Sequence, residues 1–193
     1  MQGDILVIAE HWNDAPDGVT LQMLTKGREL ADAAGVGLAV LVLGHGLDDT
    51  VDALREKGMD TIWVLDDPAL ARAGGDVEAH AIAEAASTID PGLILVGYSL
   101  VGMELAPAIA VKLGVPAMTN CVNAEIEEGA VVVTRPLFDG TQHAKIVLEG
   151  GAFPCWRSSV GRPQPSSLPQ RRSRCGRSPS TSRRTPPTAK FWK

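Results

Sequence analysis

Residues 4–44 read DILVIAEHWNDAPDGVTLQMLTKGRELADAAGVGLAVLVLG, and this stretch decides the architecture. Asp4–Glu10 is a continuous apolar run that ends in polar residues, as a strand buried on both faces would be. Thr20 is placed to cap a helix whose Met23, Leu24, Gly27, Leu30, Ala31 and Ala34 recur at three- and four-residue spacing. Gly35 stands where a left-handed C-cap is wanted. Gly37–Gly44 then repeats the buried-strand pattern. Strand, helix and strand in this order form the unit of a parallel sheet.

The rhythm continues outward. Leu47, Val51 and Leu54 mark a second helix, opened by Asp48 and Asp49 at its positive end and closed by Gly58. Thr61–Leu65 is a third strand. Asp76 is a candidate cap for a third helix carrying Ala79, Ile82, Ala86 and Ile89, which Pro91 stops. Leu93–Gly97 is a fourth strand, followed by a helix through Leu105, Ile109 and Leu113. Pro107 is expected only near that helix's first turn. Beyond Gly114 the pattern changes: Cys121–Ile126, Val131–Phe138 and Ala144–Leu148 read as strands, with only Glu127–Gly129 between the first two. The expected fold is α/β, a parallel sheet with helices on both faces and a C-terminal antiparallel extension.

Of 193 residues 45% are hydrophobic, enough for one sizeable core. The net charge of -5 conceals two unlike segments. Through Phe153 there are 8 Lys+Arg against 23 Asp+Glu, or -15; Pro154–Lys193 carries 8 Arg, 2 Lys and no acid, or +10. That second segment also holds 7 Pro and 8 Ser, and its only Val, Leu or Ile are Val160 and Leu168. It lacks the apolar surface to offset its ordering entropy, so residues 154–193 are expected to be a disordered basic tail on a body of residues 1–150. Three cysteines without paired spacing point to a reducing compartment, and no apolar run approaches the ~20 residues of a membrane span. Asp4 and Glu10 bracket the first apolar run, so no secretory leader is expected. A cytoplasmic location is the default.

Ligands in such folds gather at the carboxyl ends of the strands. Those ends offer Glu10, His11 and Trp12; Gly44, His45 and Gly46; and Gly97, Tyr98, Ser99 and Gly102. Neither a dinucleotide fingerprint nor a Walker-type loop occurs there. Gly97–Gly102 reads as a tight turn, with phosphate approach as the sharper alternative. His11 and His45 read as rim histidines that cap a strand or face a partner, because no further ligand stands at metal spacing. His80 and His143 have less to recommend them, and Cys121 reads as a small core residue. No catalytic residue, cofactor contact or metal ligand is assigned.

Several blocks do carry a resemblance. ILVIAEH (Ile5–His11), TKGRELADAAG (Thr25–Gly35), LGHG (Leu43–Gly46), DDPALA (Asp66–Ala71), GMELAPAIAVKLGVPA (Gly102–Ala117) and TRPLFDGTQHAKIV (Thr134–Val147) resemble the N-terminal domain of the electron transfer flavoprotein α subunit. They follow that family's order and cover nearly all of residues 4–150. The resemblance implies an adenine-nucleotide α-hydrolase-like three-layer fold. It also implies an electron carrier between flavin dehydrogenases, of acyl-CoA dehydrogenase type, and a quinone reductase or other acceptor. Its members are αβ heterodimers with one FAD, held mostly by the α subunit's C-terminal domain, and with AMP in the β subunit.

No positions for that flavin domain exist here, so the chain is expected to be the β-subunit-docking part, truncated, not redox-active alone and holding no FAD by itself. Thr134, Arg135 and Pro136 match a family block and are weak candidates for an interface or inter-domain contact. The alternative is a free-standing adenine-nucleotide-binding module using Gly97–Gly102. An arginine-rich arm for nucleic acid ranks last, because the acidic body opposes it; neither nucleic acid nor membrane is an expected partner.

The tail has three readings: a nucleic-acid arm, a Pro/Ser linker, or the product of a shifted reading frame in GC-rich DNA. With CGN for Arg157 and TCN for Ser158 and Ser159, reading Pro154–Ser159 from the last base of the proline codon gives Leu/Met/Val, Leu, Ala and two aliphatic or Phe residues, then Arg/Ser/Gly/Cys. That is an apolar strand where the family has one. The gene is therefore expected to show an inserted or deleted base across codons 150–160 relative to an intact homologous frame. An uninterrupted frame ending at the same stop in close relatives rejects this.

Overall fold

The computed structural model describes residues 3–148, 153–156 and 189–192. Strand β1 (Ile5–Ile8) leads into a two-strand hairpin of β2 (His11–Trp12) and β3 (Ala15–Pro16). Helix α1 (Gly18–Ala34), β4 (Leu38–Gly44), α2 (Asp48–Arg55) and β5 (Thr61–Asp66) follow. Next come α3 (Gly75–Ile89), β6 (Leu93–Gly97), α4 (Leu100–Leu113) and β7 (Ala117–Cys121). The chain continues as β8 (Asn123–Glu127), β9 (Ala130–Leu137) and β10 (Gln142–Leu148), with β11 (Phe153–Trp156) and β12 (Ala189–Trp192) beyond.

The main sheet runs β12-β5-β4-β1-β6-β11-β7, parallel throughout except for β12, which lies antiparallel on β5. Strands β10-β9-β8 form the expected antiparallel sheet. Alternation along each strand divides the core in two. Ile5, Val7, Leu38, Val40 and Val42 face Met23, Leu24 and Leu30 of α1 and Val51 and Leu54 of α2. Leu6, Ile8, Leu41 and Leu43 face Ala79 and Ile82 of α3 and Leu105 and Ile109 of α4. Ala124, Val131 and Val133 bring the small sheet onto the first core.

Several expectations are corrected. The N-cap of α1 is Asp17, whose carboxylate accepts from the Val19 N–H at 3.3 Å. Thr20 is buried inside the helix instead, its hydroxyl engaged by the backbone of Glu10. Asp76 lies within the first turn of α3, where it complements the helix dipole, and Gly74 occupies the cap. Pro107 sits well inside α4; Ser99 caps that helix at one end, left-handed Gly114 closes it at the other, and its buried face packs into the second core.

The strand expected at Cys121–Ile126 is two strands broken at Val122. The first, β7, begins at Ala117 and belongs to the main sheet. Phe138 leaves the strand and takes a left-handed backbone with φ 50°. Pro154–Trp156 and Ala189–Trp192, within the stretch expected to be disordered, are strands; Phe191 and Trp192 supply β-favouring aromatics to the second. The rest of the tail lies outside the described residues, as do residues 157–159 of the Pro154–Ser159 segment read in the shifted frame. No helix among the described residues is long and apolar enough to cross a membrane.

One carboxylate stitches the first core. Asp60 accepts from the Leu38 N–H at 2.9 Å and from Arg28 Nη1 at 2.8 Å, while Arg28, largely buried, also reaches Asp32 at 2.9 Å. Asp60→Ala leaves both donors without this acceptor and is expected to cost about 1–3 kcal/mol in urea denaturation. Glu29→Ala, which removes only the exposed pair with Lys26, is expected to cost less than about 1 kcal/mol.

Candidate functional site

Strand order reverses between β1 and β6: the chain steps outward through β4 and β5, then returns to the other edge of β1. In open α/β sheets such a reversal opens a crevice at the carboxyl ends of the strands. Here the chain's own side chains meet in it. Glu10 leaves β1, and its Oε1 accepts from Ser99 Oγ at 2.8 Å. Ser99 Oγ in turn accepts from the Gly102 N–H at 2.8 Å, which caps α4. The Glu10 backbone is held from α1, where Thr20 Oγ1 donates to its carbonyl at 2.6 Å and accepts from its N–H at 2.8 Å.

Two glycines permit this closeness. A Cβ on Gly97 would meet Val19 Cγ2 at 2.5 Å and Glu10 Oε1 at 3.2 Å; one on Gly102 would run into the carbonyl of Gly97. Gly97 and Gly102 thus serve backbone approach between β6, α1 and α4. The turn reading of Gly97–Gly102 matches this geometry, and one of the first-turn N–H groups, that of Gly102, is bonded to Ser99.

The electrostatics of the rim follow from burial. Burial pushes the Glu10 carboxyl above its ordinary range; the Ser99 hydrogen bond opposes this, and the Asp17 charge adds to it. Glu78, on α3, is also raised, by burial first and then by the charge of Glu104, with His11 pulling the other way. Asp66 at the end of β5 behaves oppositely. Burial raises it, but the Gly46 and Leu47 N–H groups and His45 together hold it below the ordinary carboxylate range.

The two rim histidines have different partners. His11 Nε2 donates to the Leu43 carbonyl at 3.0 Å, tying the hairpin to the end of β4. His45 Nδ1 lies 3.2 Å from Asp66 Oδ1, which also accepts from Gly46 N at 3.0 Å. His80 lies on exposed α3 surface beside Glu84, 3.5 Å away, and His143 sits exposed on β10 opposite Pro136. Cys121 is fully buried in the first core. No three of His, Cys, Asp and Glu converge on a metal-binding point among the described residues.

Thr134, Arg135 and Pro136 lie elsewhere, in the middle strand of the small sheet. The Thr134 carbonyl accepts from Val122 N at 2.8 Å, and Arg135 Nη1 approaches Met118 Sδ at 3.7 Å. Arg135 Nε, and nearby on β7 Asn120 Oδ1, are buried polar atoms without a hydrogen-bond partner among the described residues. Sequence reading placed Glu10 and Ser99 on the rim but not their bond. A serine directly before a helix was the available signal for the cap. The approach of Glu78 and Glu104 from two helices left no local trace.

The Electron transfer flavoprotein domain model matches residues 5–163. Over 144 residues the chain is 34% identical to the electron transfer flavoprotein subunit alpha of Thermoanaerobacterium thermosaccharolyticum, covering 74% of this chain and 44% of that protein. It is 33% identical over 144 residues to Protein FixB of Clostridium saccharobutylicum, covering 74% and 43%. It is 31% identical over 146 residues to a protein of Acetobacterium woodii named lactate dehydrogenase (NAD(+),ferredoxin) subunit LctC, covering 75% and 35%. The chain thus spans less than half the length of these relatives.

Two substitutions probe the rim. Ser99→Ala removes the α4 cap and the donor to Glu10, with an expected loss of about 1 kcal/mol by urea denaturation. A carboxyl whose pKa rises on folding contributes stability that is complete below its unfolded value, ordinarily 4.5 for glutamate, and lost as pH climbs through the folded value. Glu10→Gln is therefore expected to gain stability relative to the parent as pH rises from 4 to 7. A difference constant with pH contradicts this.

Proposed function

Because the chain belongs to the electron transfer flavoprotein family, we propose that it is the subunit-docking domain of an α-type electron-carrier subunit, pairing with a β-type subunit and holding no FAD by itself. The carrier would take electrons from flavin dehydrogenases, of acyl-CoA dehydrogenase type, and deliver them to a quinone reductase or another acceptor. Its place of work would be the cytoplasm.

The observation that carries the reading is the crevice between β1 and β6. A dinucleotide entering there would bring its phosphates against the Glu10 carboxyl, and it would find the Gly102 N–H already bonded to Ser99. Val19 stands against Gly97 where a backbone approach would be needed. These contacts speak against a dinucleotide in this crevice, and no redox step is assigned to this chain.

Pairing has its own support. Thr134, Arg135 and Pro136, only partly buried on the middle strand of the small sheet, are the proposed interface. Leu137 and Phe138, both exposed, extend it at the tip of the hairpin between β9 and β10.

The test is co-expression with a β-type subunit. The isolated chain is expected to show no flavin band in its visible spectrum and to co-elute with the β-type subunit when both are made together. Arg135→Ala is expected to weaken pairing by about tenfold. A yellow chromophore near one equivalent on the isolated chain overturns the proposal. Saturable heat on titration with AMP instead supports the free-standing nucleotide-binding module.

A further inference from the structure

The face built from the β2–β3 hairpin and the first turns of α3 and α4 is at once apolar and acidic. Trp12 is 76% exposed and Leu100 84%, and Val77, Val101 and Met103 are exposed beside them in sequence on the same three segments. The hairpin presents Trp12 on a fixed backbone, because Asn13 and Asp14 both take positive φ, 48° and 61°, as its tight turn requires. Along α4, Leu100, Met103, Pro107 and Val111 recur at three- and four-residue spacing and all face solvent. A helix apolar on its outer as well as its inner face is ordinarily covered.

His11 apart, the charged residues of this face carry one sign. Segments 10–17, 75–78 and 99–104 hold Glu10, Asp14, Asp17, Asp76, Glu78 and Glu104 and neither Lys nor Arg. The segments meet in space. Ser99 is bonded to Glu10, and the Glu104 side chain lies so close over Gly75 that a Cβ there would strike its carboxyl. Glu78 feels the charges of both Glu104 and His11.

We propose that this face docks a protein surface carrying an apolar anchor ringed by Lys and Arg. Charge complementarity selects that occupant: apolar anchors supply the affinity, and opposite charge around them steers encounter and rejects wrong partners. A second copy of this chain, meeting the face symmetrically, would set Glu78 and Glu104 against carboxylates of their own kind. The proposed site is separate from the interface at Thr134–Pro136 and stands or falls independently of it.

The experiment uses the full chain and a dye-labelled amphipathic peptide of about five helical turns, with a Leu stripe flanked by Lys and Arg, read by fluorescence anisotropy. Binding that weakens with salt is expected. A peptide with the same charges but Ser in place of Leu is expected to bind about tenfold more weakly or worse. The Trp12→Ser/Leu100→Ser chain, with every charge kept, is expected to lose about as much. Glu78→Gln/Glu104→Gln is expected to weaken binding and flatten its salt dependence, whereas Glu125→Gln/Glu127→Gln, on the small sheet, leaves it unchanged. Circular dichroism checks that each variant retains its fold.

Equal binding by the Leu-free peptide, or equal loss in the Glu125/Glu127 variant, reduces the effect to general attraction between opposite charges and overturns the proposal. So does a failure to bind. A dimer in sedimentation that Trp12→Ser dissolves assigns the face to a second copy and overturns it too.

Discussion

Strand β1 has no side open to water. Its edges are taken by β4 and β6, and its four side chains alternate between two cores in which Ile5, Leu6, Val7 and Ile8 are essentially fully buried. A polar side chain at any of these positions would lose hydration without finding a hydrogen-bond partner. The apolar run is therefore obligatory, and it fixes what lies around it. Helices α1 and α2 must cover one face, α3 and α4 the other, and the chain must cross from the first pair to the second. That crossing creates the reversal of strand order at which the rim residues meet.

Glu10 is the first polar side chain after this strand, so it emerges where backbone and helices crowd most closely. Its carboxyl is half-buried beside Asp17, an unfavourable setting that Ser99 only partly relieves. The neighbouring Thr20 bonds to the backbone on both sides of the same residue and holds its direction. The outcome is a crevice occupied by the protein itself, in a fold that elsewhere uses this position for ligands. With the crevice occupied, the small sheet and the apolar, acidic rim are the surfaces of chemical character that stand out among the described residues.

The layers, the buried strands and some helix ends, chiefly the left-handed C-termini, were legible because they follow local rules. Gly35 has the left-handed backbone expected of it, at φ 69°, and the first turn of α2 does carry Asp48 and Asp49. What escaped local reading was set by contacts distant in sequence. The two-strand hairpin at His11–Pro16 was missed because each strand has two residues, too short for any periodicity; its signal was the Asn13–Asp14 pair, residues that tolerate a left-handed backbone. Thr20 fits a cap by composition, yet the backbone of Glu10 claims its hydroxyl. Strand β7 leaves no local signal because its half-buried residues, Ala117–Asn120, show no alternation; it is defined by pairing with β11, which follows much later. The rim was partly visible as strand-end residues, but the pairing of Glu78 with Glu104 depends on how two helices lie together.

The bond from Ser99 to Glu10 closes a separation of 89 residues, and this bears on how the protein is made. As a ribosome releases the chain, β1, α1, β4, α2 and β5 can assemble from near neighbours alone. The second edge of β1, with the aliphatic side chains turned toward α3 and α4, stays bare until β6 has been synthesised and swung back. For that interval the nascent polypeptide presents a sticky, hydrogen-bond-hungry border, the kind of surface that invites chaperone attention or wrong pairing. The order of translation thus leaves even the innermost strand waiting for a partner some 85 residues further on.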